Sequence, residues 1–148
     1  MNTGKRKIKL LLAAGGLMVL GIGLMLMTRL PVLGLETAGF CGCCHAMDSQ
    51  VESYFHSAHR EDVTCGDCHD PHGLMSGSVY AAYTGTRDVY RVVSGTIPPE
   101  ITATGTSQKV IQGNCLRCHG EMLGEVGDTS RGDGMYCFDC HRRTPHNK

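Results

Sequence analysis

Charged and apolar positions separate sharply along this chain. Lys5, Arg6, Lys7 and Lys9 precede an unbroken uncharged run from Leu10 to Met27, "LLLAAGGLMVLGIGLMLM", which is apolar on every side. Such a run in helical form spans about 27 Å at about 1.5 Å per residue, close to the hydrocarbon thickness of a bilayer. Thr28, Arg29 and Pro31 close it. It reads as an uncleaved transmembrane anchor over residues 10–28 rather than a removed signal. The run exceeds a usual signal core, no A-x-A site follows, and Phe40 in "LETAGFC" stands where a lipoprotein cleavage site wants a small residue. The basic residues 1–9 should stay in the cytoplasm, leaving the rest on the outer face. For a bacterial chain that means a single pass through the inner membrane, with residues 33–148 in the periplasm. Gly16 and Gly23 share a helix face, as do Ala14 and Gly21. Small residues permit close approach, hence a homodimer through the membrane helix, although glycine is common in membrane helices generally.

Beyond residue 33 the apolar pattern thins out. Two stretches read as helices. "VESYFHSAHRED" is short and places His56 and His59 three apart on one face, and Leu74 to Val93 is longer. Elsewhere short helices and irregular loops are expected, so the class is mainly α with extensive loops. With 148 residues there is room for one small domain, but 3 Phe and no Trp cannot fill a core. Zero formal net charge gives no reason to expect nucleic-acid binding. What the chain has instead is 9 Cys, 8 His and 20 Gly.

The cysteines and histidines explain the missing core. C-x-x-C-H occurs at Cys41–His45, Cys65–His69, Cys115–His119 and Cys137–His141. Composition alone would place roughly 0.03 such motifs in the chain. Two thiols add across the two vinyl groups of a haem, and the next histidine reaches the iron from the same side. Zinc would not demand a histidine after the second cysteine in every copy, and two-residue disulfide loops staple nothing together. Four covalent haem c groups, attached through Cys41, Cys44, Cys65, Cys68, Cys115, Cys118, Cys137 and Cys140, therefore form the core of a multihaem cytochrome c domain. Glycine suits the close approach of backbone to these flat groups. Cys43 is left over and reads as a spectator thiol.

A low-spin haem needs two axial ligands. The motifs supply His69, His119 and His141 on one side, while His56, His59, His72 and His146 remain for the other. His72 in "CHDPH" and His146 in "CHRRTPH" sit too close to their own motifs to reach round, so each would serve a neighbouring haem. His59 and His146 are the stronger distal candidates, ahead of His72 and His56. At the first motif Met47 lies two residues past His45 and cannot cap the opposite face. Either it replaces His45 on the same face, leaving one side of that haem open near the membrane, or it does not ligate. A thioether ligand would raise the potential.

C-x-x-C-H-x-M after an N-terminal anchor, followed by three more C-x-x-C-H motifs, resembles the NapC/NirT family of membrane-anchored tetrahaem quinol dehydrogenases. The resemblance covers nearly the whole chain. It implies that Met47 rather than His45 binds the first iron, and that His59 in "SAHRE" and His146 in the terminal "PH" are distal ligands. It implies a carboxylate near the open haem face, with Asp88 in "TRDVYRVV" at the matching position. It also implies a periplasmic multihaem reductase as partner, which for a chain this short is the catalytic subunit of a cytochrome c nitrite reductase. That partner can supply one sixth ligand. The lysines usual between the second motif and this acidic position are absent here, so Arg87 or Arg91 must stand in where a cation is needed.

Oxidising menaquinol or ubiquinol releases two electrons and two protons, and the protons need an acceptor. Asp88 is the candidate base, with Arg87, Tyr83 and Tyr90 as orienting groups. The bland reading pairs Asp88 with Arg87 or Arg91 on a solvated face. A rival role is an anchored electron carrier reduced by another protein. Nitrite reduction by the chain itself would commonly use a lysine-ligated haem, and no C-x-x-C-K occurs. The loop 124–136 could take a cation through Asp128 and Asp133, but reads better as a flexible solvated loop.

Overall fold

The computed structural model describes residues 3–27, 34–132 and 134–146. Thr28, Arg29 and Pro31, expected to end the anchor, lie outside the described residues, as does Asp133. Helix α1 runs Thr3–Met27, so it starts well before the expected boundary at residue 10. Lysine and arginine are good helix formers, and the basic end prolongs the helix rather than preceding it. Gly4–Leu24 is long and apolar enough to cross a membrane, and its side chains are exposed all round. A helix hydrophobic on every side needs lipid or another helix around it. Gly16, Gly21 and Gly23 have open space where a Cβ would point.

Six shorter helices follow: α2 (Ala38–Cys41), α3 (Asp48–Phe55), α4 (Cys65–His69), α5 (Leu74–Ser94), α6 (Gly105–His119) and α7 (Cys137–Cys140), with a 3₁₀ turn at His45–Met47. No strand occurs among the described residues. The motifs are themselves helical: the second is α4, the third ends α6, and the cysteines of the fourth bound α7. Two of these helices carry their own cap. The Asp67 carboxylate accepts from the Thr64 N–H at 2.8 Å, and Asp139 accepts from the Tyr136 N–H at 3.0 Å. An aspartate just before the second cysteine thus satisfies a donor that so short a helix cannot satisfy itself.

The helix expected through His56 and His59 is shorter than its periodicity suggests. α3 stops at Phe55, and His56 already has φ −93° and ψ 2°. The reason is Tyr54, whose hydroxyl sits 2.8 Å from the Val63 carbonyl and 3.0 Å from that of Arg60, closing residues 56–63 into a loop. His56 and His59 therefore do not share a helix face. α5 matches its expected span, and ends where Gly95 turns to φ 67° and the Thr96 N–H reaches the Arg91 carbonyl at 3.0 Å. That left-handed position is one glycine adopts without strain.

Packing is sparse. α5 lies against α1, α2 against α3, and α6 against both α4 and α7. Among the described residues Tyr54 is the one large apolar side chain that is buried, while Ser78, Gln112 and Asn114 are buried polar ones.

Candidate functional site

The four motifs are neighbours in chain order. The Gly66 N–H donates to the Glu36 carbonyl at 3.1 Å, bringing the segment before the first motif onto the second. A Cβ at Gly66 would sit 2.7 Å from Glu36 Cβ, so only glycine fits there. The side chains of Cys41 and Cys65 act on each other, lowering the Cys41 pKa and raising that of Cys65. Motif two meets motif three through α4 and α6, and motif three meets motif four through α6 and α7.

Two pairs of imidazoles lie near each other. The His59 and His119 rings have centroids 6.1 Å apart at 86°, and those of His69 and His146 are 6.0 Å apart at 38°. Two imidazoles bound to one iron from opposite sides, each at roughly 2 Å, have centroids roughly 6 Å apart. Each pair joins a motif histidine to a histidine from outside the motifs. His146 is oriented by Ser53 on α3, whose Oγ lies 3.1 Å from its Nδ1. The His69 pKa is lowered, first by desolvation and then by the His146 ring, although the residue as a whole is exposed. Desolvation lowers His146 as well. Among the described residues, the one buried side-chain polar atom without a hydrogen-bond partner is His59 Nδ1.

The first motif differs. His45 is fully exposed, and its Nδ1 lies 3.2 Å from the Asp48 carboxylate. Met47, two residues on, is half-buried. His141 is exposed too, and among the described residues neither it nor His45 faces another imidazole. His72 is exposed, its ring bonded through Nε2 to the Asp67 carbonyl at 3.0 Å, and His56 is bonded to Glu52 at 2.9 Å. Neither is brought opposite a motif histidine.

On α5, Asp88 is paired with Arg87, whose Nε donates to Oδ1 at 2.9 Å. Tyr83, Arg87 and Tyr90 recur at helical spacing on one face, and Asp88 lies about 100° further round. Tyr83 lines an apolar groove of about 510 Å³ with Met75, Ser76, Val79 and Tyr80, rather than standing beside Asp88.

Residues 3–148 match the sequence profile of the NapC/NirT cytochrome c family, N-terminal region. The chain belongs to the NapC/NirT cytochrome c family. It is 32% identical over 145 residues to the cytochrome c nitrite reductase subunit NrfH of Nitratidesulfovibrio vulgaris, covering 98% of this chain and 87% of that one. A putative tetraheme c-type cytochrome of Allochromatium vinosum is 27% identical, with 93% and 89% covered. Among solved structures, a chain of the cytochrome c nitrite reductase NrfHA complex bound to the inhibitor HQNO superposes with a TM-score of 0.72 at 30% identity. That match covers 93% of this chain and 90% of the other.

A NapC/NirT cytochrome must find room for haem c, and these residues fit it. The imidazole pairs are spaced for an iron, a buried ring nitrogen lacks a partner, and apolar side chains around the motifs stand uncovered. Two residues that carry this arrangement were not singled out from sequence. Gln112 and Asn114 are buried on α6 and bond to the fourth and second motifs. No periodic pattern marks them. Asp128, read as part of a solvated loop, is instead half-buried and accepts from Gln112 at 3.0 Å and from the Ser130 hydroxyl at 2.8 Å.

Proposed function

We propose that the chain is a membrane-anchored tetrahaem cytochrome c that oxidises menaquinol or ubiquinol. It hands the electrons to a periplasmic reductase, the catalytic subunit of a cytochrome c nitrite reductase. The observation that carries this reading is an asymmetry: His69 and His119 each face a second imidazole, whereas His45 and His141 do not. Bound at the motifs, haem supplies one-electron transfer between close neighbours, and the chain decides where electrons enter and leave. His69 with His146, and His119 with His59, would hold the haems of the second and third motifs. At the first motif Met47 would serve in place of His45, which is turned out to Asp48. At the fourth, His141 lies at the surface, where a ligand from the partner subunit completes it. The basic end of α1 stays in the cytoplasm and the motifs lie in the periplasm.

Quinol gives up its two protons as it gives up two electrons. Asp88 accepts a proton at its carboxylate, and Arg87 orients that group. Its helix, α5, adjoins the membrane-length helix α1, which supports access from the bilayer. The similarity to a nitrite reductase subunit and to an HQNO-bound complex supports both the substrate and the partner. One observation favours the rival reading of a plain electron carrier: Asp88 already has Arg87 as its partner.

The test is quinol reduction of the haem-loaded full chain in liposomes, with no other protein present. Haem absorbance should change on adding a menaquinol analogue, and HQNO should block the change. A chain that dithionite reduces but quinol does not is the carrier instead.

A further inference from the structure

We propose that Asn114 and Gln112 are positioning residues that fix the second and fourth C-x-x-C-H motifs against the third, and so set the distances over which electrons cross the chain. This rests on the tetrahaem reading above. Helix α6 ends in the third motif, and the two amides lie in its last turns. Asn114, directly before Cys115, donates through Nδ2 to the carbonyls of Cys68 at 2.9 Å and Asp70 at 3.0 Å. Those carbonyls belong to the residues on either side of His69. Gln112, only 3% exposed, accepts through Oε1 from the N–H of Cys137 at 2.9 Å, the first residue of α7.

Helix-end chemistry explains why amides stand here. α4 and α7 have 5 and 4 residues, so their terminal carbonyls and N–H groups find few partners within themselves. α6 supplies both deficits, one from each side. Residues two apart on a helix lie about 200° apart, so Asn114 and Gln112 reach in nearly opposite directions. α6 is thereby clamped between the second and fourth motifs.

Apolar packing against a flat macrocycle is non-directional and permits slip. Bonds from a buried amide to backbone groups are directional, and a fully satisfied buried network specifies one geometry. The Gln112 amide nitrogen donates to Asp128, which also accepts from the Ser130 hydroxyl at 2.8 Å, so the amide is held from behind. Neither residue is an attachment or axial group, so they act on the relay only through position.

The test uses the full haem-loaded chain, with Asn114→Leu, Gln112→Leu, and Gln112→Glu combined with Asp128→Asn. Asn114→Ala replaces Asn114→Leu should the latter load fewer than four haems. The readouts are the magnetic interaction between haems by EPR, their reduction potentials, and internal electron transfer after photoreduction rather than by quinol. Removing Asn114 should alter coupling between the second and third haems and slow transfer several-fold, leaving the third-to-fourth pair unchanged. Gln112→Leu should do the reverse. Gln112→Glu combined with Asp128→Asn keeps both the acceptor for the Cys137 N–H and a donor behind it, and should retain the wild-type coupling. Four-haem variants with wild-type coupling and rates, changed only in melting temperature, would overturn the proposal. Because photoreduction bypasses quinol, a chain that fails to oxidise quinol leaves this test intact.

Discussion

The middle of the motif series and its two ends are built differently. The second and third motif histidines each meet an imidazole at about the spacing that one iron needs, and both partners arrive from distant sequence. His146 comes from the far end of the chain and is steadied by Ser53, while His59 comes from a loop closed by Tyr54. Among the described residues the first and fourth motif histidines have no imidazole opposite them, and His45 is drawn off to Asp48. Closed sites suit transfer with little rearrangement. Open sites suit exchange with something outside the chain, which in the proposed function is a lipid-soluble donor at one end and a protein acceptor at the other.

Substitutions at and around the motifs test that contrast. Asp88→Asn should give the largest effect, lowering quinol oxidation by about 10²-fold, the lower end of general-base contributions, with unchanged haem spectra. Equal rates for variant and wild type would reduce the Arg87–Asp88 pair to a surface ion pair. His59→Ala or His146→Ala should open a closed site, adding one high-spin signal and slowing electron delivery by roughly tenfold or more. A loss of low-spin signal from a different haem would mean the pairing is wrong. Met47→Leu should change the spectrum and lower the potential of the first haem alone, measured by redox titration. Gly66→Ala, which forces a Cβ onto Glu36, should cost about 1–3 kcal/mol of stability by thermal melting. His45→Ala should do least, leaving every spectrum as it was. Loss of the first haem's axial signal would instead make His45 the ligand.

The four C-x-x-C-H motifs were plain in the sequence, because the pattern is local and needs no fold to be read. The membrane-length helix was equally legible, since lipid demands an unbroken apolar run. α5 was visible through its period, and its end through Gly95. The pairing of His59 with His119 and His146 with His69 was not, because long-range partners follow from packing and not from spacing. The over-long helix through His56 shows the same limit: periodicity continued, but the Tyr54 hydroxyl bound the carbonyls beyond it and turned the chain. Gln112 and Asn114 were hidden because a buried amide looks like a surface one until its partners are known.

The most direct measurement is an EPR and magnetic circular dichroism spectrum of the oxidised, haem-loaded chain alone, with and without HQNO. Two low-spin and two high-spin haems are expected. HQNO should perturb one of the high-spin pair, and the partner reductase should convert the other. Four low-spin haems indifferent to the inhibitor would contradict the account, closing both ends of the series and leaving an anchored carrier with no quinol site.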